Sequence, residues 1–218
     1  MTMNKQATLM DQLKMTPIIA ILRGIAETKA DATAQALADG GIVFLEVTLN
    51  TEGALQMIAR IKETQGQRMR IGAGTVLNLA MAKEAAAAGA EYFLSPNLNE
   101  DVIYYGLEHG IDVYPGVMTP TEIVRAFEAG APAVKVFPMG SLGLNYLKEI
   151  RAPLNHIPMI ATGGVDLNNI NEFLDAGAIA VGLGSNLMDK KHLQAGDFEA
   201  IEQRARAFVN KVKGVKLA

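Results

Sequence analysis

Residues 133–138 read Ala133-Val134-Lys135-Val136-Phe137-Pro138, a short run in which one lysine stands between two β-branched residues. Valine suits the pleated surface of a sheet, whereas the strongly hydrated ammonium of lysine normally belongs on a polar face. A period of two puts Ala133, Lys135 and Phe137 on one face of a strand and Val134 and Val136 on the other. If the aliphatic face packs on helices, Lys135 points inward. Desolvation disfavours a charged amine in such a place, and a neutral amine can attack a carbonyl to form a Schiff base. A structural lysine that reaches the strand's end or pairs with an acid fits the run equally well. The rest of the chain must decide.

Outward from this run, the same alternation of short apolar stretches and Ala-rich segments repeats. Expected strands cover 17–22, 42–48, 70–75, 92–94, 111–114, the lysine run itself, 158–161 and 179–183. Between them, helices are expected over 27–38, 52–63, 79–88, 99–109, 120–129, 142–151 and 167–176, many stopped by glycine. Thr119, Pro120 and Glu122 form an N-cap, a first-position proline and a capping-box acid. A final helix is expected over 197–212, and an amphipathic helix over 4–15 carries Ala7, Met10 and Leu13 on one face. Eight strands, each leading into a helical segment, predict a parallel sheet closed into a single-domain (β/α)8 TIM barrel with an N-terminal helix. A doubly wound open sheet would leave the eighth unit without a place.

Composition narrows the function. A chain of 218 residues, half of them hydrophobic, suits one substantial core. A net charge of -3 with both signs scattered leaves no electrostatic footprint for nucleic acid. There is no cysteine, so disulfides, thiolate ligands and cysteine catalysis are excluded. No uncharged apolar stretch is long enough to span a membrane, and residues 1–15 lack the apolar core of a signal peptide, so a cytoplasmic protein acting on small molecules is expected. His109, His156 and His192 are expected to be solvated. No His/Asp/Glu spacing suggests a metal site, and no cofactor is expected.

In a β/α barrel the chemistry collects where strands end. The second strand carries Glu46 among Phe44, Leu45 and Val47, where an unpaired carboxylate is costly. Phe44, Glu46 and Thr48 share one face, leaving Val43, Leu45 and Val47 for the helices. The second and sixth strands are both even-numbered, so Glu46 and Lys135 can occupy one layer and approach each other across the barrel. A structural ion pair would explain that much; so would a Schiff-base lysine with a glutamate moving its protons. Thr162-Gly163-Gly164 and Gly184-Ser185 close the last two strands. Glycines let backbone N–H groups approach an anion, and helix N-termini favour negative charge, so these loops are expected to bind phosphate. Arg23 is a candidate for a carboxylate or phosphate, and Thr75 for a substrate carboxylate.

These motifs together resemble a known family. Leu45-Glu46-Val47-Thr48-Leu49, Gly72-Ala73-Gly74-Thr75-Val76-Leu77, Ser95-Pro96, Tyr114-Pro115-Gly116, Val134-Lys135-Val136-Phe137-Pro138 and Thr162-Gly163-Gly164 are similar, in order, to motifs of the class I 2-keto-3-deoxy-6-phosphogluconate/4-hydroxy-2-oxoglutarate aldolases. The resemblance implies a barrel, usually a homotrimer, that reversibly cleaves a 2-keto-3-deoxy-6-phospho sugar acid to pyruvate and glyceraldehyde 3-phosphate. It matches Lys135 to the Schiff-base lysine, Glu46 to the acid/base, Thr75, Pro96 and Phe137 to the pyruvate end, and Gly163, Gly164, Gly184 and Ser185 to the phosphate end. Asn50 stands where many gluconate-type members have arginine. Members acting on the galactonate epimer also have asparagine there, and Ile21-Leu22-Arg23-Gly24 resembles theirs. A phosphosugar isomerase or epimerase with Glu46 as base, and a non-catalytic sugar-phosphate binding module, remain alternatives; neither forms a covalent adduct.

Overall fold

In the computed structural model, which describes residues 7–213, the apolar runs form parallel strands and the Ala-rich segments form helices around them. The strands are β1 (Ile18–Leu22), β2 (Phe44–Thr48), β3 (Arg70–Gly74), β4 (Tyr92–Leu94), β5 (Asp112–Tyr114), β6 (Gly116–Val117), β7 (Val134–Val136), β8 (Met159–Thr162) and β9 (Ala180–Leu183). Helices α1 (Leu9–Met15), α2 (Glu27–Asp39), α3 (Ala54–Gln65), α4 (Leu79–Ala87) and α5 (Glu100–His109) serve the first half. Helices α6 (Pro120–Glu128), α7 (Met139–Arg151), α8 (Ile170–Asp175), α9 (Lys190–Ala195) and α10 (Phe198–Val212) serve the second.

The strand order is β5-β4-β3-β2-β1-β9-β8-β7-β6. Its two ends, β5 and β6, are consecutive pieces of chain separated only by Pro115, which has no N–H to give to a ladder. Tyr92, Phe93 and Leu94 of β4 pair with β5, while Gly116 pairs with Lys135 on the other side. One kinked stave thus closes the eight-fold barrel, and Gly116, expected to end a strand, belongs to its second piece.

Alternation along each strand separates two layers. Leu45, Val47, Val134, Val136, Met159, Ala161, Val181 and Leu183 face the helices, while Ile19, Phe44, Tyr92, Leu94, Tyr114, Ala133, Ile160 and Ala180 fill the interior. Val43 departs from its expected side: it precedes β2 and packs against the interior cluster. Leu13 of α1 belongs to that same cluster and is fully buried, so α1 plugs the N-terminal end of the barrel. Burial of such a leucine is worth about 1.5–3 kcal/mol. Thr8 and Asp11 cap α1 reciprocally, which sets its start at Leu9; Asn4 to Gln6, the expected beginning of this helix, lie outside the described residues.

Three helices differ from their expected spans. α7 starts at Met139, directly after Pro138, and breaks at Gly143, whose φ of 78° is not helical. α3 starts later than expected because residues 49–53 form a turn ending on left-handed Gly53. α8 is only six residues long: Asp166 and Asn169 accept backbone N–H groups in the preceding loop and delay its start. The capping box of Thr119 and Glu122 on α6 is present as the sequence suggests. Among the described residues no helix is long and apolar enough to cross a membrane.

Candidate active site

Lys135 sits at the middle of β7 and Glu46 at the middle of β2, both on inward positions. Lys135 is 3% exposed and Glu46 fully buried, and Lys135 Nζ lies 4.0 Å from Glu46 Oε1. Gly74 makes the room for this carboxylate, since a Cβ there would lie 1.8 Å from Oε1. Gly72, two residues earlier on the same face, makes room for the Tyr92 ring, at 2.3 Å from the corresponding point.

The geometry argues against a purely structural ion pair. A charge-assisted hydrogen bond is typically about 2.7–2.9 Å long, and this pair is separated by 4.0 Å. Neither Glu46 oxygen has a hydrogen-bond partner. At 4 Å and an effective dielectric near 20 the attraction is about 4 kcal/mol, while desolvation costs several kcal/mol for each ion. An arrangement kept for stability would satisfy the remaining lone pairs; this one leaves both oxygens available.

Above the pair opens a cavity of ≈ 480 Å³. Arg23, Lys135, Phe137, Thr162, Gly163, Gly164, Gly184 and Ser185 all line it, so most of the expected site residues converge. Among the described residues its cationic lining side chains are Arg23, Lys135 and Lys190, with no carboxylate beside them in the lining. Such a lining favours an anionic ligand. The Lys135 ammonium position lies 5.5 Å from the Phe137 ring centroid, and a cis bond joins Phe137 to Pro138 at the rim. Thr162 Oγ1 is buried without a partner, beside Gly182, where a Cβ would come within 2.6 Å of it.

Glu46, Thr75 and Pro96 do not line this cavity. Thr75, at the end of β3 with a φ of 59°, meets Arg23, whose Nη2 donates to its Oγ1 at 3.5 Å. Arg23 itself is exposed, but the chain beside it is anchored: Gly24 N–H donates to Thr51 Oγ1, which also bonds Thr48 Oγ1. Pro96 lines a neighbouring hollow of ≈ 550 Å³ that shares only Phe137 with the first. That hollow holds neither Lys135 nor Glu46, so the amine-bearing cavity is the candidate active site. Asn50 is exposed, just beyond β2.

The loops expected to bind phosphate both line the cavity, but not as helix N-termini. Gly163 and Gly164 adopt positive φ, and α8 and α9, six residues each, begin only at Ile170 and Lys190. The groups that could meet an anion there are the loop backbone and the side chains of Arg23 and Lys190. Lys190 carries no local sequence signal of a site residue; its place depends on the chain after Ser185 folding back over the cavity. That return is held by Lys29, whose amine donates to the carbonyls of Leu193 and Gln194. Of the histidines, His109 and His156 are exposed, and His192 is half-buried against Asp197.

An eight-stave barrel with an amine facing a carboxylate beneath an anion-favouring mouth belongs to the broad class of barrel enzymes that handle anionic carbonyl compounds. Comparison with known proteins narrows this. Residues 9–204 match the family model "Aldolase: KDPG and KHG aldolase". The chain is 39% identical over 195 residues to a 2-dehydro-3-deoxy-6-phosphogalactonate aldolase of Escherichia coli (strain K12), covering 88% of this chain and 93% of the relative. It is 34% identical to a 2-dehydro-3-deoxy-phosphogluconate aldolase of Treponema pallidum (strain Nichols), over 88% and 90% of the two chains. A crystal structure of KDPG aldolase from Legionella pneumophila, with pyruvate captured as a covalent carbinolamine, superposes with a TM-score of 0.85 at 28% identity, covering 91% of this chain and 96% of the other. The chain belongs to the KDPG/KHG aldolase family, and its activity is that of an aldolase, a carbon–carbon lyase.

Proposed function

We propose that this aldolase is a single-domain, metal-independent class I enzyme that cleaves a 2-keto-3-deoxy-6-phospho sugar acid to pyruvate and glyceraldehyde 3-phosphate, with Lys135 as the Schiff-base residue. The observation that carries the reading is the buried amine of Lys135 at 4.0 Å from a carboxylate with two unpartnered oxygens, on the floor of a cationic cavity. The amine attacks the C2 ketone; the carbinolamine loses water to give the iminium. Glu46 takes the proton of the C4 hydroxyl as the C3–C4 bond breaks, and its electron pair is drawn into the iminium to give an enamine. The aldehyde leaves with its phosphate. Protonation of the enamine at C3 and hydrolysis of the imine then release pyruvate and the free amine. Thr75 and Arg23 are placed to meet the substrate carboxylate, Phe137 and Pro96 to wall the pyruvate end, and Thr162 to meet a substrate hydroxyl. Gly163, Gly164, Gly184 and Ser185 receive the phosphate. The same half-reaction on 4-hydroxy-2-oxoglutarate needs only the pyruvate end of the site.

Exposed Tyr104, Leu107 and Phe127 on α5 and α6 support assembly as a homotrimer. The phosphorylated substrate, which does not cross membranes unaided, suits a cytoplasmic enzyme. The test is intact mass after incubation with pyruvate and borohydride. The parent should gain one pyruvyl adduct and Lys135→Ala none, with turnover abolished in the variant. Trapping on folded Lys135→Ala, or no adduct on the parent, would overturn the reading.

A further inference from the structure

The interior beneath Glu46 holds a second buried titratable group for which the reaction above has no role. Tyr92, on β4, is fully buried, and its hydroxyl has no hydrogen-bond partner. Its ring is held by Phe44 and Tyr114, at centroid distances of 5.7 Å and 6.0 Å. Tyr114 directs its own hydroxyl to Asp112, at 3.1 Å, and so is already satisfied. A phenol buried among apolar and aromatic side chains without a partner costs free energy that phenylalanine would avoid.

The glycines of β3 locate that hydroxyl relative to Glu46. Tyr92 Cζ, the carbon carrying the hydroxyl, lies 2.4 Å from where a Cβ of Gly72 would be, and Glu46 Oε1 lies 1.8 Å from where a Cβ of Gly74 would be. Residues two apart on one face of a strand are about 6.6 Å apart. The phenol and the carboxylate are therefore neighbours along the barrel axis: neither makes a hydrogen bond, and the charge of Glu46 acts on the phenol. A buried water needs two or more polar partners, and Tyr92 Oη with the two Glu46 oxygens supplies them.

We propose that Tyr92 is a positioning residue for Glu46, donating through one interior water to its carboxylate from below while Lys135 and substrate approach from above. The proposal rests on the aldolase reading of the site. Burial, and then the negative charge of Glu46, push the Tyr92 phenol well above its ordinary value, so it remains a protonated donor throughout the working range. The other charged groups around the phenol are engaged elsewhere: Glu91 with Lys62 and Arg70, and Asp112 with Tyr114. Lys135 is the cation on the far side of Glu46. The water accepts from the Tyr92 hydroxyl and donates to Glu46, holding the carboxylate towards the C4 hydroxyl.

Tyr92→Phe tests this, with pyruvate trapping, KM and the pH profile of kcat measured together. Trapping and KM should match the parent. The value of kcat should fall about tenfold, and its acid limb should move to higher pH, because a carboxylate deprived of a donor holds its proton more tightly. Incorporation of 3-fluorotyrosine at position 92 keeps the hydroxyl as a stronger donor and should restore kcat with the acid limb at or below that of the parent. Tyr92→Phe with an unchanged profile and a raised Tm would show an idle phenol and overturn the proposal. So would a fluorotyrosine enzyme with the activity and acid limb of the phenylalanine variant. Absence of trapping in the parent would instead sink the aldolase reading on which both rest.

Discussion

The sharpest test of the barrel geometry is Gly74→Ala. Its backbone φ is not in the left-handed region, so alanine meets no backbone strain. The added carbon would lie 1.8 Å from Glu46 Oε1, 2.4 Å from Cδ and 2.5 Å from Cγ. Cβ contacts below about 3.0 Å are not tolerated in a packed interior, so the carboxylate must retreat by about 1.2 Å. Any such retreat carries it from its place beside Lys135. Overpacking of this kind costs about 1–3 kcal/mol, and each kcal/mol lowers Tm by about 2–4 °C in a chain of this size. Displacing a proton-transfer group by about 1 Å costs on the order of 10²-fold in rate. The assay is pyruvate release coupled to NADH oxidation, alongside a thermal melt and pyruvate–borohydride trapping. We expect trapping to persist, since Lys135 is untouched, with kcat down about a hundredfold. Gly184→Ala supplies the contrast for stability, because nothing lies within 4 Å of the added carbon. A Gly74→Ala enzyme with parental kcat would show that Glu46 need not occupy its observed place, and would refute the role assigned to it.

Two further outcomes follow from side chains at the edge of the site and of the fold. Lys190→Ala should raise KM for the phosphorylated acid about three- to tenfold, an effect that fades with added salt, while leaving the unphosphorylated analogue unaffected; equal effects on both would remove Lys190 from phosphate recognition. At the start of α6, hydrogen bonds from the Met118 N–H, then from the Thr119 N–H and hydroxyl, hold the Glu122 carboxyl below its usual value of 4.5. The folded state thus binds that proton less tightly than the unfolded chain, so the stabilisation is complete above the ordinary glutamate range and is lost as pH falls through the lower folded value. Urea melts of Glu122→Gln should show a deficit at pH 7 that closes in acid, and a deficit independent of pH would assign the effect to geometry alone.

Much of this site is legible in the chain because a period of two is a strong constraint. Phe44, Glu46 and Thr48 had to share a face, as did Ala133, Lys135 and Phe137, and two even-numbered staves bring those faces together. What periodicity does not carry is how a loop returns. Nothing local places Lys190 beside Arg23, because that depends on Lys29 capping carbonyls more than 160 positions away. Nor does a glycine pair announce a helix N-terminus: after Gly163-Gly164, Asp166 and Asn169 take the backbone N–H groups and the helix starts late. Pro115-Gly116 looks like the end of a strand, yet it is the hinge at which one stave changes neighbours.

The clearest case is Gly72-Ala73-Gly74. As a string it puts two glycines inside an expected strand, where they offer no side chain to pack and give no sign of what takes their place. In the barrel both glycines lie within β3, and their missing side chains are the space taken by Tyr92 and Glu46. The period of two identifies the side on which a residue stands, while the partner strands decide whether an absent side chain is a bend or a socket. Here it is a socket, and that distinction separates an exposed Gly-rich turn from the wall that holds the Glu46 carboxylate 4.0 Å from the Lys135 amine.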